Sequence, residues 1–129
     1  MRLFMNAWFA RFVRKQRLPL SPLVDAIRRA NAGQIDADLG GGVIKQRIAR
    51  PGQGKSGGYR TIIFFRHHDR AFFIYGFSKS DLANLTESEE RQFKEAARRV
   101  LALTGKELTE LVRRGDFLEI AHDDEEISQ

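Results

Sequence analysis

Most of the residues in this sequence that could do chemistry are cations. Lys45 and Arg47 stand two apart in Val43–Arg50, a stretch whose β-branched texture predicts a strand. Side chains alternate along a strand, so these two point to one face. Arg60 opens the next apolar stretch, and Lys79 follows the third. Arg50 and Lys55 flank a glycine-rich link between the first two stretches. If these cations converge, they form a cleft suited to holding an anion and stabilising negative charge as it develops on a phosphoryl group. Tyr59 beside Arg60 offers a ring for an unpaired base while arginine grips the adjoining phosphate. Ordinary exposed cations on the solvent face of an antiparallel sheet give the same spacing, so convergence in space is the point to test.

Other motifs carry less. Ala49-Arg50-Pro51-Gly52-Gln53-Gly54-Lys55-Ser56 fits a permissive phosphate-loop pattern. That loop works by presenting a helix N-terminus straight after Lys-Ser. Here Gly57-Gly58 and the strand-like Tyr59-Arg60-Thr61-Ile62-Ile63-Phe64-Phe65 follow instead. The sequence therefore argues against a bound nucleoside triphosphate and for a flexible cationic loop. His67 and His68 are adjacent in a turn beside Asp69, which reads as turn structure rather than as an acid-base pair or a metal site. With no cysteine there is no disulfide, thiolate metal site or cysteine nucleophile. No metal and no cofactor is expected.

Charge is unevenly spread. Residues 1–80 carry 15 Lys+Arg against 4 Asp+Glu, a net +11, and residues 81–129 carry 7 against 13, a net −6. A cationic region on a small domain suggests a polyanionic partner, and its interleaving with glycines and aromatics favours nucleic acid. The length of 129 residues suits one domain, placed here at 1–120 and followed by an acidic, disordered tail at 121–129. No apolar run reaches the roughly 20 residues that span a bilayer, and the opening Met1–Asn6 is too short for a secretory signal, so a cytoplasmic protein is expected.

The elements that must position these cations follow from periodicity. Residues 2–5 predict a short strand. Trp8, Phe9, Phe12 and Val13 recur at helical spacing before Pro19. Ser21-Pro22 predicts a second helix, with serine as its cap and Gly33 as its stop. Residues 36–42 read as a loop. Val43–Arg50, Tyr59–Arg66 and Ala71–Phe77 predict three sequential antiparallel strands, with a long mobile link at 51–58 and a tight turn at 67–70. Thr86-Glu87-Ser88-Glu89 is a capping box opening a helix that stops at Gly105. A short helix to Gly115 and a last strand around Phe117–Ile120 complete an α+β order, because loops rather than helices join neighbouring strands.

Ile44-Lys45-Gln46-Arg47-Ile48-Ala49-Arg50, Gly54-Lys55-Ser56-Gly57-Gly58-Tyr59-Arg60-Thr61-Ile62-Ile63-Phe64 and Phe73-Ile74-Tyr75-Gly76-Phe77-Ser78-Lys79 together resemble RelE/HigB-type toxins of bacterial toxin–antitoxin systems, as does Leu82–Leu85 before a charged helix. The Gly-Gly-Tyr-Arg step is the most distinctive piece. The resemblance implies a RelE-like fold, an antitoxin partner, and metal-independent endoribonuclease action on mRNA, usually on the ribosome. It implies catalytic roles for Lys45, Arg47, Arg60 and Lys79, with Arg50, Lys55 and Tyr59 binding RNA. Ser80-Asp81 stands where the family carries a second basic residue, and no tyrosine follows in the next turn, so no general base is assigned. Two alternatives carry over: a non-catalytic ParE-like inhibitor of DNA gyrase, and a plain RNA-binding module.

Overall fold

The computed structural model describes residues 1–50, 52, 54–78 and 85–123, and of residues 54–56 the backbone alone. The elements in order are β1 (Arg2–Asn6), α1 (Ala7–Gln16), α2 (Ser21–Asn31), β2 (Ala37–Gly40), β3 (Val43–Arg50), β4 (Gly54–Arg66), β5 (Arg70–Ser78), α3 (Glu87–Leu101), α4 (Gly105–Arg113) and β6 (Phe117–Ile120). The strands form one mixed sheet in the order β2-β3-β4-β5-β1-β6. The three sequential strands are antiparallel as expected, while β1 lies parallel to β5, from Arg2↔Arg70 to Met5↔Phe73. The fold is α+β.

Helices cover both faces. On one side α1 and α2 bury Phe9, Leu23 and Ile27 against Leu3, Ile44, Ile63 and Phe73. On the other, α3 and α4 set Ala97, Leu101 and Leu108 against Phe4, Val43, Ile62, Phe64 and Phe72. A strand covered on both faces has no polar alternate positions, which explains the unbroken runs Ile62-Ile63-Phe64-Phe65 and Ala71-Phe72-Phe73.

Helix ends follow local rules with one exception. The Asn6 side chain caps α1 by accepting from the Phe9 N–H at 2.8 Å. Thr86/Glu89 and Thr104/Glu107 both form full capping boxes. The exception is α2, where Ser21 is not the cap: the helix starts from the Leu20 carbonyl, which accepts the N–H groups of Leu23 and Val24. Nor does Gly105 stop α3; that helix ends at Leu101, and Gly105 is the first residue of α4.

Two loops of the sequence reading contain strand. Residues 37–40, expected as loop, form β2, because Gly40, Gly41 and Gly42 all take the left-handed φ that turns the chain back onto β3. The link at 51–58 is shorter than expected, since β4 already pairs at Gly54 with Arg50. No helix follows Lys55-Ser56, as the phosphate-loop argument required; the chain runs on as β4. The turn at His67–Asp69 is tight and tied to α2: the Asn31 carbonyl lies 2.8 Å from His67 Nε2, and Asn31 Oδ1 accepts the His68 N–H at 2.9 Å. Most of the acidic tail, from residue 124, lies outside the described residues.

Candidate nucleic-acid interface

Strand register decides which cations meet. Arg47 pairs directly with Arg60 across β3 and β4, and Lys45 pairs with Ile62. Directly paired residues share a face, so Lys45, Arg47 and Arg60 all project on the side that holds Ile62 and Phe64. Phe77 of β5 pairs with Arg60 and extends that face. Facing residues lie about 5 Å apart at Cβ and diagonal ones about 7–8 Å, so the three side chains are near neighbours on the sheet. α3 covers the sheet at the Val43/Phe64 end, where Phe93 meets Phe64 ring to ring at 6.4 Å. The cations sit two to four residues further along β3, about 13 Å from Val43 at the Arg47 end. All three are half-buried.

Arg47 is held from both sides. β2 pairs with β3 only as far as Ala37↔Lys45, so the Arg47 N–H lies past the end of that ladder. Asp36 accepts it at 2.7 Å and also accepts Arg47 Nη2 at 3.2 Å. The buried Arg29, 6% exposed, donates to the Arg47 carbonyl at 2.5 Å and lies 3.6 Å from Asp36. Fully buried Gln46 accepts the Asp36 N–H at 2.7 Å and donates to the carbonyls of Ala26 and Gln34. Burial pushes the Asp36 carboxyl up, but the Arg47 N–H and guanidinium, with Arg29, outweigh it and hold the group below the usual aspartate range.

Arg60 is different. Its Nη1 is buried and has no hydrogen-bond partner among the described residues. It also faces another arginine, an arrangement that costs stability unless an anion lies between them. Two paired arginines, one with a donor free of partners among the described residues, have the charge and donors that recognise an anion.

The remaining expected residues lie elsewhere. Tyr59 and Arg60 are neighbours on one strand and so point to opposite faces. Tyr59 is 6% exposed, donates its hydroxyl to Gln16 Oε1 at 2.7 Å, and has the Arg50 guanidinium 5.1 Å above its ring. A base stacked on Tyr59 beside the Arg60 phosphate, as the sequence suggested, does not fit this geometry. Arg50 belongs with Tyr59, not with Arg47, after a register shift between Ile48 and Arg50. Lys79 and the Lys55 side chain lie outside the described residues. Asp36, Arg29 and Gln46 were missed by sequence reasoning, because nothing local marks an acid in an expected loop as the partner of a strand arginine.

Fold and site thus define a class: a small α+β protein whose sheet carries an arginine pair and a lysine on one face. The family model described as RelE toxin of RelE / RelB toxin-antitoxin system matches residues 1–120, and the chain belongs to that family. It is a toxin of a toxin–antitoxin system, a class that generally inhibits translation and pairs with an antitoxin. No curated protein matches the chain. No helix among the described residues is long and apolar enough to cross a membrane.

Proposed function

We propose that this toxin is an mRNA endoribonuclease that cuts the message on the ribosome, in the cytoplasm, and so stops translation. The observation that carries the reading is Arg47 facing Arg60 with a buried donor unspent. In this mechanism the 2′-hydroxyl of the target nucleotide attacks its own phosphorus. The bond to the 5′-oxygen of the next nucleotide breaks, leaving a 2′,3′-cyclic phosphate and a 5′-hydroxyl. Arg60 and Arg47 hold the phosphoryl oxygens as their charge grows, the step where preplaced cations act most strongly. Lys45, with Lys55 as the alternative, takes the 2′-hydroxyl proton as a neutral amine, and the resulting ammonium returns it to the leaving oxygen. Roles for Lys79 and Lys55 rest on the family resemblance alone. No cofactor is called for.

The test is ribosome-dependent cleavage by the wild type, Arg60→Ala and Lys45→Ala. Each variant is expected to lose on the order of a hundredfold in rate. A message with deoxyribose at the scissile position should resist. Undiminished cutting by both variants overturns the assignment. Growth arrest with DNA damage but intact mRNA would favour gyrase inhibition instead.

A further inference from the structure

A second feature lies at the far end of β5, away from Asp36 and Arg29. β1 pairs with β5 only as far as Phe73, and beyond that point the chain has already turned into α1. Between α1 and the last residues of β5 is a cleft of about 700 Å³. That lies within the roughly 300–1,000 Å³ typical of small-ligand sites.

Its wall is aromatic. Trp8 lies 4.4 Å from Tyr75 and stacks on Phe12 at 5.4 Å with an interplanar angle of 16°. Trp8 is 36% exposed, unusual for a ring with two aromatic neighbours in place. Phe12 lies flat on the backbone of Gly76, where a Cβ would come 2.7 Å from the ring. The cations of the lining are Arg11, Lys15 and Arg50, and among the described residues the lining contains no acid. Phe77 also lines the cleft, and it pairs with Arg60 across β4 and β5. One residue of β5 therefore belongs both to the cleft and to the proposed cutting face.

We propose that this cleft is a subsite for single-stranded RNA flanking the cut, taking an unpaired base against Trp8 and the neighbouring phosphates on Arg11, Lys15 and Arg50. It rests on the reading of the sheet face as an RNA site. Stacked rings bordered by cations are what sequence-tolerant single-strand binding uses. Continuity with the Arg60 face through Phe77 favours the strand being cut over an acidic peptide.

Trp8 is the sole tryptophan, so its fluorescence reports on the cleft alone. The full chain is titrated with an uncleavable 2′-O-methyl RNA decamer, with an abasic decamer and with polyglutamate. The RNA should quench Trp8, and the abasic strand should bind roughly tenfold or more weakly. Arg11→Glu combined with Lys15→Glu, on the helix surface, should weaken RNA binding and raise KM for cleavage with kcat kept. Trp8→Phe should retain part of the affinity that Trp8→Ala loses. Quenching that persists in Arg60→Ala while its cleavage is lost supports the subsite independently of the cutting chemistry. If the wild type cuts nothing yet the decamer still quenches, the subsite stands and the nuclease reading falls. Equal affinity for intact and abasic strands, an unmoved Trp8 signal, or tighter binding of polyglutamate would overturn the proposal, the last in favour of a protein segment.

Discussion

Arg60→Met should make this protein more stable and less active at once. The structure supplies both terms. Arg60 stands directly across from Arg47, and removing a like charge from a facing pair returns about 0.2–1 kcal/mol. Its buried Nη1 lacks a partner among the described residues, and an unsatisfied buried donor costs about 1–3 kcal/mol. Arg60 as a whole is half-buried, so the lower part of each range applies. Methionine is flexible enough to fill the space beside Ile62 and Phe77. The net gain expected is about 1–2 kcal/mol, or roughly 3–10 °C in Tm for a chain of this size. Cleavage should fall on the order of a hundredfold.

Urea unfolding of wild type and variant, beside the ribosomal cleavage assay, reads both quantities. Arg60→Lys is the informative control. It keeps the charge clash but replaces a planar fork with a point charge, so it should recover little of the activity and none of the stability. A less stable Arg60→Met would refute the reasoning, because it would show that the arginine holds the fold together. Full activity in Arg60→Met would remove it from the site.

Two further outcomes follow from named contacts. Asp36 is held below the ordinary aspartate range chiefly by Arg47 against the opposing effect of burial, so its contribution is present above the unfolded value of about 4 and is lost as pH falls through the lower folded value. Urea midpoints from pH 7 down to 2 should therefore drop less steeply below pH 4 in Asp36→Asn than in wild type; parallel curves would show that the carboxylate is not linked to folding. Gly76→Ala places a Cβ 2.7 Å from Phe12, so the ring must move and loosen its stack with Trp8. Destabilisation of about 1–3 kcal/mol and altered Trp8 emission are expected, and an unchanged spectrum would contradict the packing.

Much of this was legible in the sequence where the signal was local. Thr86-Glu87-Ser88-Glu89 carries its own hydrogen bonds, so its capping box could be read directly. The same holds for the β-branched strands and for Lys45 and Arg47 on one face, since alternation is intrinsic to a strand. Register is not local. That Arg47 meets Arg60 depends on the β3–β4 register, which no residue type announces, whereas alternation alone already sends Arg50 to the face of Ile48 and Tyr59. β2 was hidden because Ala-Asp-Leu-Gly has the composition of a loop and becomes a strand only when the glycine turn folds it onto β3. Asp36 was hidden for the same reason: its partner is 11 residues away and is found only once β3 is placed.

The two facing arginines are not equivalent, and the difference sets an order of events at the site. Arg47 has its backbone clamped by Asp36 and Arg29, and its guanidinium already touches Asp36. A phosphate arriving there must compete with a carboxylate. Arg60 has a buried donor that meets no partner among the described residues. In the nuclease reading the phosphate is therefore met first by Arg60, where binding relieves an unsatisfied group and screens the facing charge. Arg47 is recruited as negative charge on the phosphoryl oxygens grows enough to outbid Asp36. An interaction that strengthens along the reaction rather than at first binding is the kind that accelerates chemistry. The Asp36 contact, which looks like a brake on Arg47, would then be what reserves it for the transition state.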